Sequence, residues 1–232
     1  MQQLPQLQQL FATLPIEEAL KQTAALFPGK TRFSSSLGQE DQMLTDIIAR
    51  NQIDIHIFTI DTGRLFYQAY DTLDKTTARY KIKIDVYFPQ ADAVQHMVKE
   101  HGVNLFYESV ANRQLCCNVR KVEPLNCALQ DTAVWITGLR SAQNDHRKNI
   151  PVVEWLEERK IYKINPLLHY SFDEVLAYLE EHAVPYNPLH DQGFLSIGCA
   201  PCTRAISEGE DARAGRWWWE TSHKECGLHL VK

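Results

Sequence analysis

Between Thr31 and His182, short β-rich runs alternate with segments of helical spacing, and this alternation constrains the fold more than any other feature of the chain. Thr31–Ser35, Ile53–Ile60, Ile82–Phe88 and Thr132–Thr137 read as strands, and Gln39–Arg50, Arg64–Tyr80 and Ala91–His101 as helices. In Gln39–Arg50 the apolar residues Met43, Leu44, Ile47 and Ile48 fall on one side, as helical period requires. Ser171-Phe-Asp-Glu174 is a capping box that predicts a helix reaching about His182. Upstream, a polar Gln-rich lead precedes a helix over Ile16–Phe27, stopped by Pro28 and Gly29. Alternation of this kind predicts an α/β fold, a parallel sheet with helices on both faces. After residue 183 the pattern breaks. Pro185, Pro188, Cys199-Ala-Pro-Cys202 and three consecutive tryptophans follow no period, which predicts an irregular C-terminal segment. The expected organisation is one domain over 1–232, with a lead at 1–30, a core at 31–183 and the C-terminal segment at 184–232.

Open α/β sheets bind ligands at the carboxyl ends of their strands. Three such ends carry polar, glycine-containing loops. The first is Ser34-Ser35-Ser36-Leu37-Gly38, running into Gln39-Glu40-Asp41. Small residues let backbone approach a phosphate, and the helix N-terminus behind them offers free N–H groups. It is not a Walker A loop, because the Gly-Lys-Ser/Thr ending is missing. The second is Asp61-Thr62-Gly63-Arg64, where Gly63 permits a tight turn and Arg64 could clamp an anion. The third is Thr137-Gly138-Leu139-Arg140, with the same logic. Alone, the first reads rather as an ordinary Ser-rich N-cap, and the other two as capped turns with a solvated arginine; together they point to a nucleotide site.

The six cysteines are Cys116, Cys117, Cys127, Cys199, Cys202 and Cys226. No basic n-region, apolar h-region or membrane-length apolar run is present, so a cytoplasmic location is expected, and with it ligands or nucleophiles rather than disulfides. Cys199-Ala-Pro-Cys202 lies in the irregular segment rather than at a helix start after a first strand, which favours metal over a redox pair. Cys116-Cys117 is the natural second half of a four-thiolate site. Adjacent cysteines fit a tetrahedral zinc poorly, whereas an iron–sulfur cube offers separate corners. That spacing favours a cluster and leaves structural zinc open. Cys127, within Leu125-Asn-Cys-Ala-Leu129, reads as a buried inert thiol. Cys226 is flanked by His223, Lys224 and His229, which favour the thiolate, and by Glu225, which opposes it. An exposed thiol on a tail is an oxidation hazard, which favours a functional one.

Lys plus Arg number 24 against 29 Asp plus Glu, a net charge of −5. That balance excludes a general nucleic-acid backbone binder. It also argues against a tRNA sulfur transferase, as does the lack of a Ser-Gly-Gly-x-Asp-Ser loop.

In chain order the motifs are Ser-Ser-Leu-Gly-Gln-Glu-Asp, Asp-Thr-Gly-Arg, Cys-Cys-x3-Lys-Val-Glu-Pro-Leu, Thr-Gly-Leu-Arg, Gly-Cys-x2-Cys-Thr and Glu-Cys-Gly-Leu-His. This series resembles the assimilatory adenylyl-sulfate (APS) reductases, relatives of the PAPS reductases, from about Ser34 to His229. The resemblance implies an adenine-nucleotide α-hydrolase-like fold of modified PP-loop type. It implies a [4Fe–4S] cluster on Cys116, Cys117, Cys199 and Cys202, with Lys121 on the cluster side of the active site. Arg213 and Arg216 match residues that meet the phosphosulfate, and Arg140 a further anion-binding arginine. Cys226 matches the nucleophile, in the same tail motif as His229. One departure is Ser141 where relatives carry a second arginine after Arg140; Arg147 is the nearest replacement. The implied activity is reduction of adenosine 5'-phosphosulfate to sulfite and AMP through S-sulfocysteine, with thioredoxin or a similar dithiol as donor, in sulfate assimilation towards cysteine. A homo-oligomer is compatible with it. The competing readings are a PAPS or dual APS/PAPS reductase, which the paired cysteines disfavour in its cluster-free form, and a non-catalytic zinc module.

Overall fold

The computed structural model describes residues 2–143 and 150–220. Its sheet contains β1 (Thr31–Ser34), β2 (His56–Ile60), β3 (Asp85–Tyr87), β4 (Val134–Ile136), β5 (Val153–Leu156) and β6 (Ile161–Ile164), in the order β3-β2-β1-β4-β6-β5. Strand β1 is parallel to both neighbours, with Phe33 opposite Ile57 on β2 and opposite Ile136 on β4. Strand β6 is parallel to β4, but β5 runs antiparallel to β6 with Trp155 opposite Tyr162. The expected parallel sheet is therefore a mixed one, closed on one side by a hairpin that the sequence pattern did not reveal.

The helices are α1 (Leu4–Thr13), α2 (Ile16–Leu26), α3 (Gln39–Arg50), α4 (Tyr67–Tyr80), α5 (Ala91–His101), α6 (Val110–Cys117), α7 (Glu123–Ala128) and α8 (Phe172–Glu181). The capping box of α8 forms as expected, with Ser171 Oγ accepting from Glu174 N and Glu174 reaching back to Ser171 N. The helical lead holds a further helix, α1, with Pro5 in its first turn and Leu7 fully buried. Helix α4 starts at Tyr67 rather than Arg64, because side chains in 61–64 bond their own backbone and hold a loop. Beyond Asn187 the described residues form short 3₁₀ turns over Pro188–Gln192 and Ala200–Cys202 and one isolated antiparallel bridge between Thr203 and Arg216.

The chain divides into two compact units. The first comprises the chain up to Thr59, Asp71–Asp85 and Asp131–Asn187; the second comprises Ile60–Tyr70, Val86–Gln130 and the chain from Pro188. The first is packed mostly by aliphatic residues, among them Leu44, Ile47, Val134, Ile136, Ile164 and Val175, with Phe33 and Tyr162. Burying each such side chain stabilises by roughly 1.5–3 kcal/mol. Helix α3 is central, buried from Asp41 through Ile48. Its Asp46 is fully buried and accepts from Tyr80 Oη at 2.8 Å, Tyr178 Oη at 2.6 Å and Arg50 Nε at 2.9 Å. Those three donors offset the desolvation of the carboxylate and tie α3 to α4 and α8.

The second unit packs Met97, Leu105, Phe106, Val119 and Trp217 with Cys116, Cys117, Cys199 and Cys202. Helix α6 is capped by Ser109, whose hydroxyl accepts from Asn112 N at 3.1 Å. It leads into one π-helical turn, Asn118–Val122, before α7. Such a wide turn inside a helical run is a frequent companion of functional sites. No helix among the described residues is long and apolar enough to cross a membrane.

Candidate active site

In the first unit, the loop after β1 and the loop after β4 share one carboxylate. Ser36 N and Oγ donate to Asp41 Oδ2 at 2.5 and 2.6 Å, and the backbone N–H of Gly138 also serves this side chain. A Cβ on Gly138 would overlap the Asp41 carboxylate, so glycine is required by the close approach. Ser35 Oγ accepts from Leu37 N at 3.1 Å and stabilises Leu37 at φ +63°. Ser34 is occupied by structure: its hydroxyl accepts from Trp135 Nε1 at 2.8 Å. Gly38 caps α3, whose first turn presents N–H groups of the kind that bind anions. Burial pushes the Asp41 carboxyl up to about 6, outweighing the Ser36 hydrogen bonds that lower it; Glu40 adds to the rise. Arg140 is buried, donating through Nε to Glu40 Oε1 at 2.8 Å with its guanidinium 5.4 Å from the Phe172 ring centroid. It therefore comes with its own counter-charge.

The Asp61–Arg64 loop belongs to the second unit and is wired to the CxxC. Asp61 accepts from Gly63 N at 2.7 Å and from Tyr70 Oη at 3.0 and 3.1 Å. Thr62 Oγ1 lies 3.2 Å from Cys199 Sγ, and Arg64 O accepts from Ala200 N at 2.8 Å. Arg64 donates to Val103 O and Asn104 Oδ1, with its guanidinium over Phe106.

Cys116, Cys117, Cys199 and Cys202 line one pocket together with Arg64, Arg113, Arg120, Lys121 and the Phe106 and Trp217 rings. All four thiols are free and buried. Burial pushes Cys202 up to about 12 and raises Cys116 too, against the pull of Arg120. Such thiols hold their protons at neutral pH until a metal takes the proton's place. The donors are all sulfur, the set that selects zinc or iron–sulfur centres. Buried donors await an acceptor here: Arg120 Nε and Trp217 Nε1 have no hydrogen-bond partner. Among the described residues, no three His, Cys, Asp or Glu side chains converge as ligands of one metal ion.

Arg216 is buried, its guanidinium 4.7 Å from the Trp217 ring centroid and close to Ser196 Oγ and Ile197 O. A Cβ on Gly198 would overlap that guanidinium. Lys121 and Arg213 are half-buried. Cys226, His229 and Arg147 lie outside the described residues. Cys127, expected to be buried, is exposed: it falls on the opposite side of α7 from Leu125 and Ala128. Sequence reasoning missed Arg113, Arg120, Trp217 and the hub role of Asp41. The four-residue step from Arg113 to Cys117 along one helix was the available signal for the first.

The profile of the phosphoadenosine phosphosulfate reductase domain matches residues 30–205. The chain belongs to that family. Members of the phosphoadenosine phosphosulfate reductase family are oxidoreductases, and this chain is an enzyme of that class. The adenosine 5'-phosphosulfate reductase of Allochromatium vinosum is 51% identical over 198 residues, 85% of this chain and 77% of that protein. That of Burkholderia cepacia is 50% identical over 203 residues, 87% and 81% of the two chains. Among solved structures, phosphoadenylyl-sulfate (PAPS) reductase from Candida auris, in a phosphate complex, superposes with a TM-score of 0.72 at 28% identity, covering 89% of this chain and 97% of that one. Candida glabrata FMN adenylyltransferase with ATP reaches 0.57 at 16% identity, covering 89% and 67%, a likeness of fold alone. The expected PP-loop type of nucleotide-binding α/β fold is thus the fold of this family member.

Proposed function

We propose that this enzyme reduces adenosine 5'-phosphosulfate to sulfite and AMP, using a dithiol protein of the thioredoxin type. Near-half identity to adenosine 5'-phosphosulfate reductases supports the substrate. The observation that carries the reading furthest is the pocket of four buried thiols ringed by cations. Cys116, Cys117, Cys199 and Cys202 would hold a [4Fe–4S] cluster. A cube gives each thiolate its own iron, which suits the adjacent Cys116 and Cys117 beside the CxxC pair. When bound, that group supplies fixed charge and a scaffold rather than electrons.

Ser34–Gly38, Asp61–Arg64, Gly138 and Arg140 serve the nucleotide. Arg140 contributes less charge than its formal one, because Glu40 accompanies it. Lys121, Arg213 and Arg216, with His229, serve the sulfuryl end, where anionic oxygens must be neutralised before a thiolate can approach. The Cys226 thiolate attacks sulfur, the S–O bond to phosphate breaks, and AMP leaves with the electron pair. The product is an S-sulfonate on Cys226. A donor thiolate then attacks Cys226 Sγ and expels sulfite. The donor's second thiol resolves the mixed disulfide, so the two electrons come from the dithiol. In this reading the enzyme works in the cytoplasm, in assimilation of sulfate towards cysteine.

Enzyme mixed with adenosine 5'-phosphosulfate and no reductant should release about one AMP per site and stop. Its mass should rise by one sulfonate, mapped to Cys226, and thioredoxin should then release sulfite. Cys226→Ser should keep its iron and form no adduct. Activity in that variant, or an adduct elsewhere, refutes the mechanism, and a parallel arm with the 3'-phosphorylated substrate decides between the two nucleotides.

A further inference from the structure

Arg113 and Glu220 form a buried ion pair in the second unit. Arg113 Nε donates to Glu220 Oε1 at 2.8 Å and Nη2 to Oε2 at 3.1 Å, and the side chains are 3% and 4% exposed. A two-pronged pair of this kind fixes the guanidinium plane. Stability alone is a weak reason for it, since desolvating both charges offsets most of their attraction. The same guanidinium has two further neighbours. It lies 4.7 Å from the centroid of the Trp217 ring, and it hydrogen-bonds the side chain of Cys117, one turn further along the chain. Glu220 is held in turn by backbone: its N–H donates to Trp217 O at 2.9 Å, and Trp217 N–H donates to Cys202 O at 3.2 Å. A continuous set of contacts therefore runs from the backbone carbonyl of Cys202 in the CxxC, through Trp217 and Glu220, to the arginine on Cys117.

We propose that Arg113 and Glu220 are positioning residues for the Cys117 thiolate, with Glu220 holding the guanidinium in the plane from which it donates to Cys117 Sγ. The inference rests on reading the four thiols as cluster ligands. A donor on a ligand sulfur withdraws electron density, strengthens the hold of the thiolate form and raises the potential of the bound metal. Arg120 and Lys121 line the same pocket and supply general positive charge. Arg113 differs from them in being oriented by a buried partner.

The test compares wild type with Glu220→Gln, Arg113→Lys and the exchanged pair Arg113→Glu with Glu220→Arg, all purified anaerobically. Thermal unfolding reports the fold, iron loss to a chelator reports the ligands, and the reduction potential reports the sulfur. Both single variants should lose iron about ten- to a hundredfold faster and shift the potential downward. The exchanged pair should recover unfolding temperature but not iron retention, because a carboxylate then stands beside Cys117. Wild-type iron retention and potential in both single variants overturns the proposal. So does an exchanged pair that recovers iron retention together with stability. If the exchanged pair does not fold, the single variants decide. Wild-type protein without iron would instead refute the cluster reading. Alkylation of the purified proteins, mapped by mass spectrometry, then decides: Cys117 labelling relative to Cys116 should change about tenfold in Glu220→Gln if Arg113 acts on that sulfur. An unchanged ratio overturns the proposal there too.

Discussion

The first unit is held together mostly by aliphatic side chains, whereas sulfur and aromatic rings make up most of the second unit's core. In the first, Phe33, Leu44, Ile136 and Ile164 are sealed from water, and the buried carboxylate of Asp46 is satisfied by three donors. In the second, four of the nine residues of the buried cluster are cysteines, and the exposed large apolar side chains of the described chain, from Tyr67 to Trp218, all belong to this unit. A unit that shows so much apolar surface and fills its interior with thiols lacks the hydrophobic burial that ordinarily holds a fold. Its stability is expected to depend on what the thiols bind, whereas that of the first unit is not.

The largest effect should come from a ligand. Cys202→Ser should lose the iron and lower activity by at least about a hundredfold. Amide exchange should quicken across 91–130, while the strands β1 and β4 stay protected. Equal loosening of both units would break the contrast, and retained iron would remove Cys202 from the ligand set.

Second in size is Gly138→Ala. Its Cβ has no room beside Asp41, so the two loops must part. Overpacking of this kind costs about 1–3 kcal/mol. Nucleotide affinity, read by calorimetry, should fall about tenfold or more while iron content stays at wild type. A loss of iron in this variant would mean that the change at Gly138 reaches the four thiols as well.

How much of this could be read from sequence follows that division only in part. Periodic rules place α2, α3, α8 and the strands β1, β2 and β4 of the first unit close to their expected positions, and α5 of the second at Ala91–His101. The hairpin of β5 and β6 escaped, because Glu157-Glu158-Arg159-Lys160 is as charged as a helix surface and its turn depends on Lys160 at φ +55°. Strand β6 is buried along its whole length and carries Lys163, neutralised by Glu154 at 2.9 Å; a buried lysine hides the apolar pattern of a strand. In the second unit, cysteine spacing named the four thiols. Nothing periodic marks Arg120, Trp217 or the bond from Thr62 to Cys199, since tertiary contacts alone bring them to the pocket.

A smaller effect concerns Asp41. Its carboxyl is raised by burial from 3.8 to about 6, so the folded state binds that proton more tightly than the unfolded one. Its contribution to stability is complete below about 3.8 and is lost as pH rises through about 6. Nucleotide affinity should run the other way, weakening as pH falls below about 6, because the ionised carboxylate is the better acceptor for Ser36 and Gly138. Asp41→Asn should flatten both profiles, with lower affinity at neutral pH. If affinity in wild type keeps rising from pH 7 to pH 5, Asp41 does not organise these loops.

The smallest effect should be at Cys127. The thiol sits on the solvent side of α7, while its neighbours Leu125 and Ala128 face inward, and it stands apart from the pocket that holds the other four described cysteines. Removing a surface thiol deletes neither a core contact nor a hydrogen bond, so Cys127→Ser should change stability by no more than about 0.5 kcal/mol. Iron content and turnover should match wild type. In the intact protein Cys127 should also alkylate faster than Cys116, Cys117, Cys199 or Cys202, since burial and any bound metal protect those sulfurs. Protection of Cys127 against alkylation, or iron loss in the serine variant, would make it part of the second unit's thiol core after all.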